Sequence, residues 1–190
     1  MAANEPGKQA SGNAAGLSDV ATLRRRAREH IEDGAVTASY PDDRKKIVQL
    51  LNEALATELV CVLRYKRHYF VTKGIKAKVA AAEFLEHAQQ EQAHADLIAQ
   101  RIVQLGEDPD LNPATLTARS HAEYDENTEL TAMLKADLIA ERVAIESYRE
   151  MITYIGPRDP TTRRILESIL AQEEEHAEDI SDLLADGTQK

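Results

Sequence analysis

One pattern of glutamate and histidine occurs twice in this chain, and it constrains the fold more than any other feature. In each copy a lone glutamate is followed by a Glu-x-x-His pair, 33 residues downstream in the first copy and 32 in the second. The residues are Glu58, Glu91 and His94 in the first copy, and Glu141, Glu173 and His176 in the second. Residues three apart share one helix face, and four carboxylates with two imidazoles are the ligands of a two-metal site inside a four-helix bundle.

The composition indicates a helical protein with a core of its own. Hydrophobic residues make up 43% of the 190 residues and aromatic residues only 4%, and the long runs of Ala, Leu, Glu, Gln and Arg favour helix. Cys61 is the only cysteine, which excludes an intrachain disulfide, a cysteine-based zinc site and an iron–sulfur cluster built by one chain. The net charge of −10 disfavours nucleic acid as the main partner and suits a protein that attracts cations.

The sequence also predicts a cytoplasmic protein without a membrane partner. No segment has the apolar length that a bilayer crossing needs. The first 16 residues are too polar and too rich in small residues for a signal peptide. A single cysteine is consistent with a reducing compartment.

The chain divides into an N-terminal segment and one bundle domain. Residues 1–40 are predicted to hold a flexible tail and a short helix from Ser18 to about Asp33, and residues 41–190 to form the bundle. Four long helices are predicted there: Pro41 to Lys73, about Lys78 to Leu105, about Thr128 to Ile155, and Pro160, after the cap Asp159, to Gly187. The segment 107–127 is long enough to run the length of the bundle. The predicted fold is all-α, a four-helix bundle of two antiparallel hairpins joined by a long crossover, with an extra short N-terminal helix.

The six candidate ligands interrupt the apolar seams of the four predicted helices. Burying four carboxylates together is too unfavourable unless cations neutralise them, and two divalent ions balance four glutamates. We expect Glu58 and Glu141 to bind one metal each, and Glu91 and Glu173 to bridge both. Mixed carboxylate and imidazole ligands suit two iron ions per chain, or manganese, and tolerate zinc.

Other residues near these seams each have two interpretations. Tyr65 and Tyr148 follow the lone glutamates at the same offset, and a core aromatic is favoured over a redox role for both. His87 is either a partner of the ligands or a packed core histidine. Asp137 either hydrogen-bonds a ligand histidine or is a solvated surface residue. The basic run Arg24–Arg28 is a solvated helix face in preference to a DNA-binding arm.

Four segments of the sequence resemble the helices of bacterioferritin, a member of the ferritin-like superfamily. They are Leu51–Val60, Glu91–His94, Asp137–Glu141 and Glu173–His176, within a region of about residues 45–184. The resemblance implies a ferritin-like bundle with a ferroxidase centre at the six predicted ligands. It further implies oxidation of Fe(II) by dioxygen or hydrogen peroxide and delivery of Fe(III) to a mineral inside a hollow homo-oligomeric shell.

Two departures from bacterioferritin refine this expectation. Gln92 occupies the position where bacterioferritins carry the haem-binding methionine, so no haem is expected. Only 14 residues follow His176, which leaves little room for the short fifth helix of a 24-subunit shell. The chain is therefore most similar to Dps-like mini-ferritins, which combine a 12-subunit shell with a bacterioferritin-type site inside each subunit, although it lacks the paired cysteines of some of them. Twelve subunits are favoured and 24 are the alternative.

Three functions compete on these grounds. The first is iron storage and detoxification by a ferroxidase. The second is a small-oligomer two-metal enzyme, such as an oxygenase, a manganese catalase or a rubrerythrin-like peroxidase. The third is protection of DNA through Arg24–Arg28, which the overall charge disfavours.

Overall fold

The structure is all-α in the part of the chain that it describes. The computed structural model covers residues 16–74 and 77–188, and within them it has six α-helices, one 3-10 turn and no strand. The helices are α1 (Val20–Arg26), α2 (Arg44–Val71), α3 (Lys78–Gln104), α4 (Leu116–Arg119), α5 (Leu130–Ile155) and α6 (Pro160–Thr188). Over the same residues, no helix combines the length and apolarity needed to cross a membrane. The predicted tail, residues 1–17, lies almost wholly outside the described residues.

The four long helices form two hairpins that pack against each other. Helix α2 packs along α3, and α5 packs along α6. The two hairpins then meet through α2 with α5 and through α3 with α6, while α4 lies against α2 within the crossover between α3 and α5. The predicted bundle of two hairpins joined by a long crossover, with an extra short N-terminal helix, is confirmed.

The short N-terminal helix differs from its prediction in both its cap and its length. Asp19, not Ser18, caps it, because the Asp19 carboxylate accepts hydrogen bonds from both the amide and the hydroxyl of Thr22. The helix ends at Arg26 instead of near Asp33, and it buries none of its residues. Without burial its stability depends on local propensity alone, and the left-handed backbone of His30 (φ 50°) breaks the chain before a separate 3-10 turn.

The ends of the long helices lie close to their predicted positions, and local hydrogen bonds explain the differences. Helix α2 begins at Arg44 because the residues from Pro41 onward form a turn first, and it ends at Val71, where the Thr72 hydroxyl bonds the carbonyl of His68. At the start of α5 the Glu129 carboxylate accepts two backbone N–H groups.

The two remaining helix ends concern α3 and α6. Gly106 follows α3 with φ +78°, the left-handed conformation that glycine adopts easily. Asp159 caps α6 as predicted, by accepting the Thr162 amide at 3.0 Å. Helix α6 runs to Thr188, the last described residue, one residue beyond the predicted end at Gly187.

Two apolar clusters fill the bundle, one on each side of its middle. The first, here called the Leu51 cluster, includes Leu51, Leu55, Ile98, Ile102, Tyr148, Met151, Leu166 and Ile169. The second, the Phe84 cluster, includes Cys61, Tyr65, Phe84, Ala88, Met133, Leu134 and Ile180. On each of the four helices the predicted ligands fall between the two clusters, so the apolar packing holds the ligand-bearing turns in register.

The crossover is held along α2 by side chains that satisfy its irregular backbone. Asn52 accepts the amide of Asp110 at 2.7 Å, and the Arg119 guanidinium bonds the Asn52 carbonyl at 3.1 Å. Further along, Arg67 donates to the carbonyls of Glu126 and Asn127, both at 2.7 Å. Because irregular backbone needs hydrogen-bond partners, these contacts position the segment between the two hairpins.

Candidate metal centre

The structure brings all six predicted ligands together in the middle of the bundle. All are at most 2% exposed. They are Glu58 on α2, Glu91 and His94 on α3, Glu141 on α5, and Glu173 and His176 on α6. Each long helix therefore supplies part of one buried cluster.

The histidine of α3 faces three carboxylates through one ring nitrogen. His94 Nδ1 lies 3.3 Å from Glu58 Oε2 and 3.4 Å from Glu91 Oε2. The same nitrogen lies 2.9 Å from Glu173 Oε1. We call Glu58 and His94 the His94 half-site.

The histidine of α6 repeats this arrangement. His176 Nδ1 lies 3.8 Å from Glu141 Oε2, 3.5 Å from Glu91 Oε1 and 3.6 Å from Glu173 Oε2. We call Glu141 and His176 the His176 half-site. Glu91 and Glu173 belong to both half-sites, because each turns one carboxylate oxygen toward His94 and the other toward His176.

The donor atoms of this cluster fit a pair of cations. The inward atoms of both histidines, both oxygens of Glu173 and one oxygen each of Glu58 and Glu91 have no partner in hydrogen-bond geometry among the described residues. Buried polar atoms without partners are rare and unfavourable. The ligand atoms of each half-site, together with the two shared glutamates, lie within 4.8 Å of one another, so one divalent ion per half-site would satisfy them.

Two glutamines that the sequence interpretation missed orient the histidines. His94 Nε2 donates to Gln172 Oε1 at 2.8 Å, and His176 Nε2 donates to Gln90 Oε1 at 2.6 Å. Because Nε2 is held as the donor, Nδ1 is the nitrogen left to bind a cation once its proton is displaced, which is how outer partners fix a ligand tautomer. The sequence held the signal, because a glutamine directly precedes the shared glutamate in both copies of the pattern.

The two tyrosines hold the terminal carboxylates in a crossed arrangement. The hydroxyl of Tyr148 donates to Glu58 Oε1, and that of Tyr65 donates to Glu141 Oε1. Each tyrosine thus bonds the glutamate of the other copy. Burial, reinforced by the neighbouring carboxylates, raises the pKa of both phenols well above its ordinary value, so both remain hydrogen-bond donors.

Asp137 has neither of its two expected environments. It is fully buried, not solvated, and its histidine partner is His68 (2.9 Å), not a predicted ligand. Arg64 Nε lies 2.8 Å from the other Asp137 oxygen, and His68 Nε2 lies 3.1 Å from Asp125 of the crossover. Sequence reasoning missed this network because Arg and Asp are usually exposed residue types.

His87 packs directly against the centre. Its ring stacks on His176 with 4.1 Å between ring centroids, and it meets the Tyr65 ring edge-on at 5.3 Å. Burial, together with the charge of His176, lowers the pKa of His87 to about 4.

Without cations the cluster is neutralised by protons. Burial alone would lower the pKa of the ligand histidines, but the facing carboxylates raise it, to about 12 for His176 and well above the ordinary value for His94. Burial and the charges of Glu58 and Glu141 raise the pKa of Glu173 to about 8. Cations would therefore displace protons from this cluster as they bind.

The terminal glutamates differ from each other. Burial and the charge of Glu91 raise the pKa of Glu58 well above its ordinary value. Burial would also raise the pKa of Glu141, but its neighbours, chiefly His176 and Glu173 together with the Tyr65 hydroxyl, hold it at about 2. The two half-sites thus share a geometry but not an electrostatic environment.

Two other predicted features lie away from the cluster. Gln92 is the residue at which no haem ligand is expected. Its side-chain amide donates a hydrogen bond to Asp96 on the same helix at 3.0 Å. The basic run Arg24–Arg28 lies on and just after α1, where Arg25 pairs with Glu29 and Arg28 bonds the Arg24 carbonyl.

Comparison with known proteins decides the family. The Ferritin family model, which describes a ferritin-like domain, matches residues 48–189. The chain belongs to the ferritin-like family. This ferritin-like chain is 30% identical over 134 residues to the bacterioferritin of Rhodobacter capsulatus, covering 70% of the chain and 79% of that protein.

Two further relatives lie within the same family. The ferritin-like chain is 30% identical over 146 residues to the DNA protection during starvation protein of Pyrococcus furiosus, covering 75% of the chain and 78% of that protein. Its structure matches the bacterioferritin-related protein of Bacteroides fragilis, described as a dodecameric thioferritin, with a TM-score of 0.73 and 36% identity. That match covers 76% of this chain and 87% of the Bacteroides protein.

Proposed function

We propose that this ferritin-like protein is a ferroxidase that stores iron. Its substrate is Fe(II), bound as a pair by the two half-sites with Glu91 and Glu173 as bridges. The observation that carries the proposal is the double use of these glutamates, each of which turns one oxygen to His94 and one to His176. Two ions held by common carboxylates are close enough to react together with one oxidant molecule.

The chemistry of the site supports oxidation rather than passive binding. Two Fe(II) ions each lose one electron, and dioxygen or hydrogen peroxide takes up the pair. The chain supplies four carboxylates, which match the charge of two divalent ions and favour the higher charge of Fe(III). The protons that cations displace from Glu173 and the histidines are available to the reduced oxidant.

The proposal extends to a hollow shell of identical subunits. Its support is the dodecameric Bacteroides relative, and we propose twelve subunits, with 24 as the alternative. Large apolar side chains are exposed on the long helices, among them Leu63, Phe70, Val79, Val103 and Ile139. Such side chains would be buried by contacts between copies.

The test is aerobic loading of the metal-free protein with Fe(II), followed by size-exclusion chromatography with iron detection. Hundreds of iron atoms that co-elute with a large oligomer would support storage, and its mass would separate twelve subunits from 24. The matched control is Glu91→Gln/Glu173→Gln, which should lose rapid oxidation. About two metal ions per chain on a small oligomer, with no further uptake, would refute storage and favour the two-metal oxidase or peroxidase.

DNA protection is a second candidate, supported by the name of the Pyrococcus relative and by exposed arginines of α1, such as Arg24 and Arg25. Binding through phosphate contacts should weaken steeply with salt. A gel-shift series from 50 to 200 mM salt, with a variant that lacks residues 1–33, tests it. Equal DNA binding by the truncated chain would remove the basic run from consideration.

A further inference from the structure

A second cluster of side chains of metal-ligand type lies beside the centre, between α3 and α6. His87 Nε2 lies 3.7 Å from Asp179 Oδ2 and 3.8 Å from Glu83 Oε2, and one ligand atom from each residue falls within 4.8 Å of the others. Glu83 and His87 are four residues apart on α3, whereas Asp179 comes from α6. None of the three belongs to the duplicated ligand pattern.

Packing alone does not explain why the imidazole of His87 is buried without close hydrogen-bond partners. The residue is 1% exposed, its Nδ1 is enclosed without a partner in hydrogen-bond geometry, and its Nε2 comes no nearer than 3.7 Å to a carboxylate oxygen. A buried polar group without a hydrogen bond is unfavourable. The ring is nevertheless turned so that Nε2 points between two carboxylates whose side chains are 32% and 47% exposed.

The distances suit an ion better than direct hydrogen bonds. A hydrogen bond would bring the nitrogen to about 2.7–3.2 Å from an oxygen. Two ligand atoms that share one ion at about 2.0–2.2 Å each are separated by roughly 3–4 Å, which is the spacing found here. One imidazole and two carboxylates, open to water on the outer side, are a ligand set for Fe(II), Mn(II) or Zn(II).

We propose that Glu83, His87 and Asp179 bind a third divalent cation, separate from the two-metal centre. The site joins the surface between α3 and α6 to the centre, because the His87 ring that faces the two carboxylates is stacked on His176 with 4.1 Å between ring centroids. An ion here lies one histidine away from the His176 half-site. Its relevance to iron oxidation rests on the proposed function, but its existence does not.

The test counts Zn(II) ions bound per chain by equilibrium dialysis of the metal-free protein. The wild type should bind three ions, Glu83→Gln/Asp179→Asn should bind two, and Glu91→Gln/Glu173→Gln, which lacks the centre, should bind one. The matched control is Glu86→Gln/Glu178→Gln, which removes two exposed charges from the same helices and should still bind three. His87 is left intact because its replacement would disturb His176.

The outcomes separate the two proposals. Two ions in the wild type and none in the variant without the centre would overturn the third site and leave the centre standing. One ion in both proteins would keep the third site and refute the two-metal centre. Anomalous scattering from Zn(II)-soaked crystals provides a second measurement, and an absence of density between His87 and Asp179 would likewise overturn the inference.

Discussion

The two half-sites use the same ligands in different surroundings. The His94 half-site adjoins the Leu51 cluster, where the buried polar groups Arg101, Asp159 and Thr162 bond one another near the start of α6. The His176 half-site adjoins the Phe84 cluster, where polar groups accompany the apolar ones: Arg64, His68, His87 and Asp137 are all buried there. The duplicated pattern thus gives a symmetric ligand set, and unduplicated residues place buried polar groups on the turns next to the His176 half-site.

The difference shows how a fold can keep a metal geometry while varying its electrostatics. Apolar neighbours leave Glu58 to be influenced mainly by burial and by the other carboxylates, which raise its pKa. On the polar side Glu141 is held at a pKa of about 2 by donors that include His176 and Tyr65. One half-site therefore favours a proton in the absence of metal, and the other favours an ionised carboxylate.

The largest effect is expected when a ligand shared by both half-sites is removed, because neither half-site then keeps its full ligand set. Glu173→Gln should eliminate binding at both half-sites and slow Fe(II) oxidation by more than about 100-fold, since loss of even an outer partner costs about 10–100-fold. Glu58→Gln should remove one ion and leave the other. Metal counts and initial oxidation rates measure this, with the exposed Glu174→Gln as control. Retention of two ions in Glu173→Gln would contradict a bridging role.

The next largest effect is expected from breaking the buried Arg64–Asp137 ion pair, which lies next to the His176 half-site only. Arg64→Met leaves Asp137 buried without its cation, and breaking a buried ion pair in this way costs about 3–5 kcal/mol. Denaturant unfolding at fixed protein concentration measures the loss. Lys66→Met removes an exposed positive charge from the same helix and should cost far less, whereas Arg64→Met/Asp137→Leu should recover most of the stability. Equal losses for Arg64→Met and Lys66→Met would show that the ion pair is dispensable.

A third prediction addresses each half-site separately. Gln172→Leu should weaken metal binding about 10–100-fold at the His94 half-site, because the His94 ring loses the acceptor that fixes its tautomer. Gln90→Leu should do the same at the His176 half-site. Isothermal titration with Zn(II) should then resolve one weakened and one intact site in each variant, with the exposed Gln89→Leu as control. Equal weakening of both sites in either variant would mean that the glutamines do not act locally.

The smallest effect is on the pH dependence of stability. Glu58 has a raised pKa in the metal-free fold, so its contribution to stability is complete below about pH 4.5 and is lost as the pH rises through the folded value. Glu141 is depressed to about 2, so its contribution is lost only in acid. Between pH 5.5 and 8.5 the melting temperature of the metal-free protein should fall by a few degrees, because Glu173 and the two ligand histidines also have raised pKa values and contribute in the same direction as Glu58.

Two variants separate these contributions. Glu58→Gln should flatten the fall in melting temperature, and Glu141→Gln should not. Bound metal should also reduce the fall, because it replaces the protons of the cluster. Differential scanning calorimetry over this pH range measures all three cases, and identical slopes in the two variants would contradict the electrostatic difference between the half-sites.

Much of the fold and of the candidate site was predictable because it depends on local pattern. The apolar seams fixed four long helices to within a few residues of their ends, and the repeated spacing placed six side chains that the structure brings together. The reciprocal glutamines were equally local, since Gln90 and Gln172 occupy equivalent positions, but their residue type gave no reason to single them out. The metal roles of these residues stay predictions.

The features that sequence reasoning missed depend on distant contacts. Arg64 is buried because it reaches Asp137 on α5 and the Glu123 carbonyl of the crossover, 59 positions along the chain. The short helix α1 was predicted too long because its sequence is helical but none of its residues is buried against the described part of the chain. The burial of Arg64 and the length of α1 both depend on whether a packing partner lies nearby in space. Helical periodicity does not report on such distant partners.

The reciprocity of the centre has a consequence for its ancestry. Each hairpin contributes one terminal glutamate, one shared glutamate, one histidine, one tyrosine and one glutamine, and the tyrosine and glutamine both act on ligands of the opposite hairpin. A polypeptide of half this length could therefore build the whole centre as a two-fold symmetric pair. The Arg64–Asp137 pair joins α2 to α5 next to the His176 half-site, so the two-fold symmetry of the ligands does not extend to the residues that surround them.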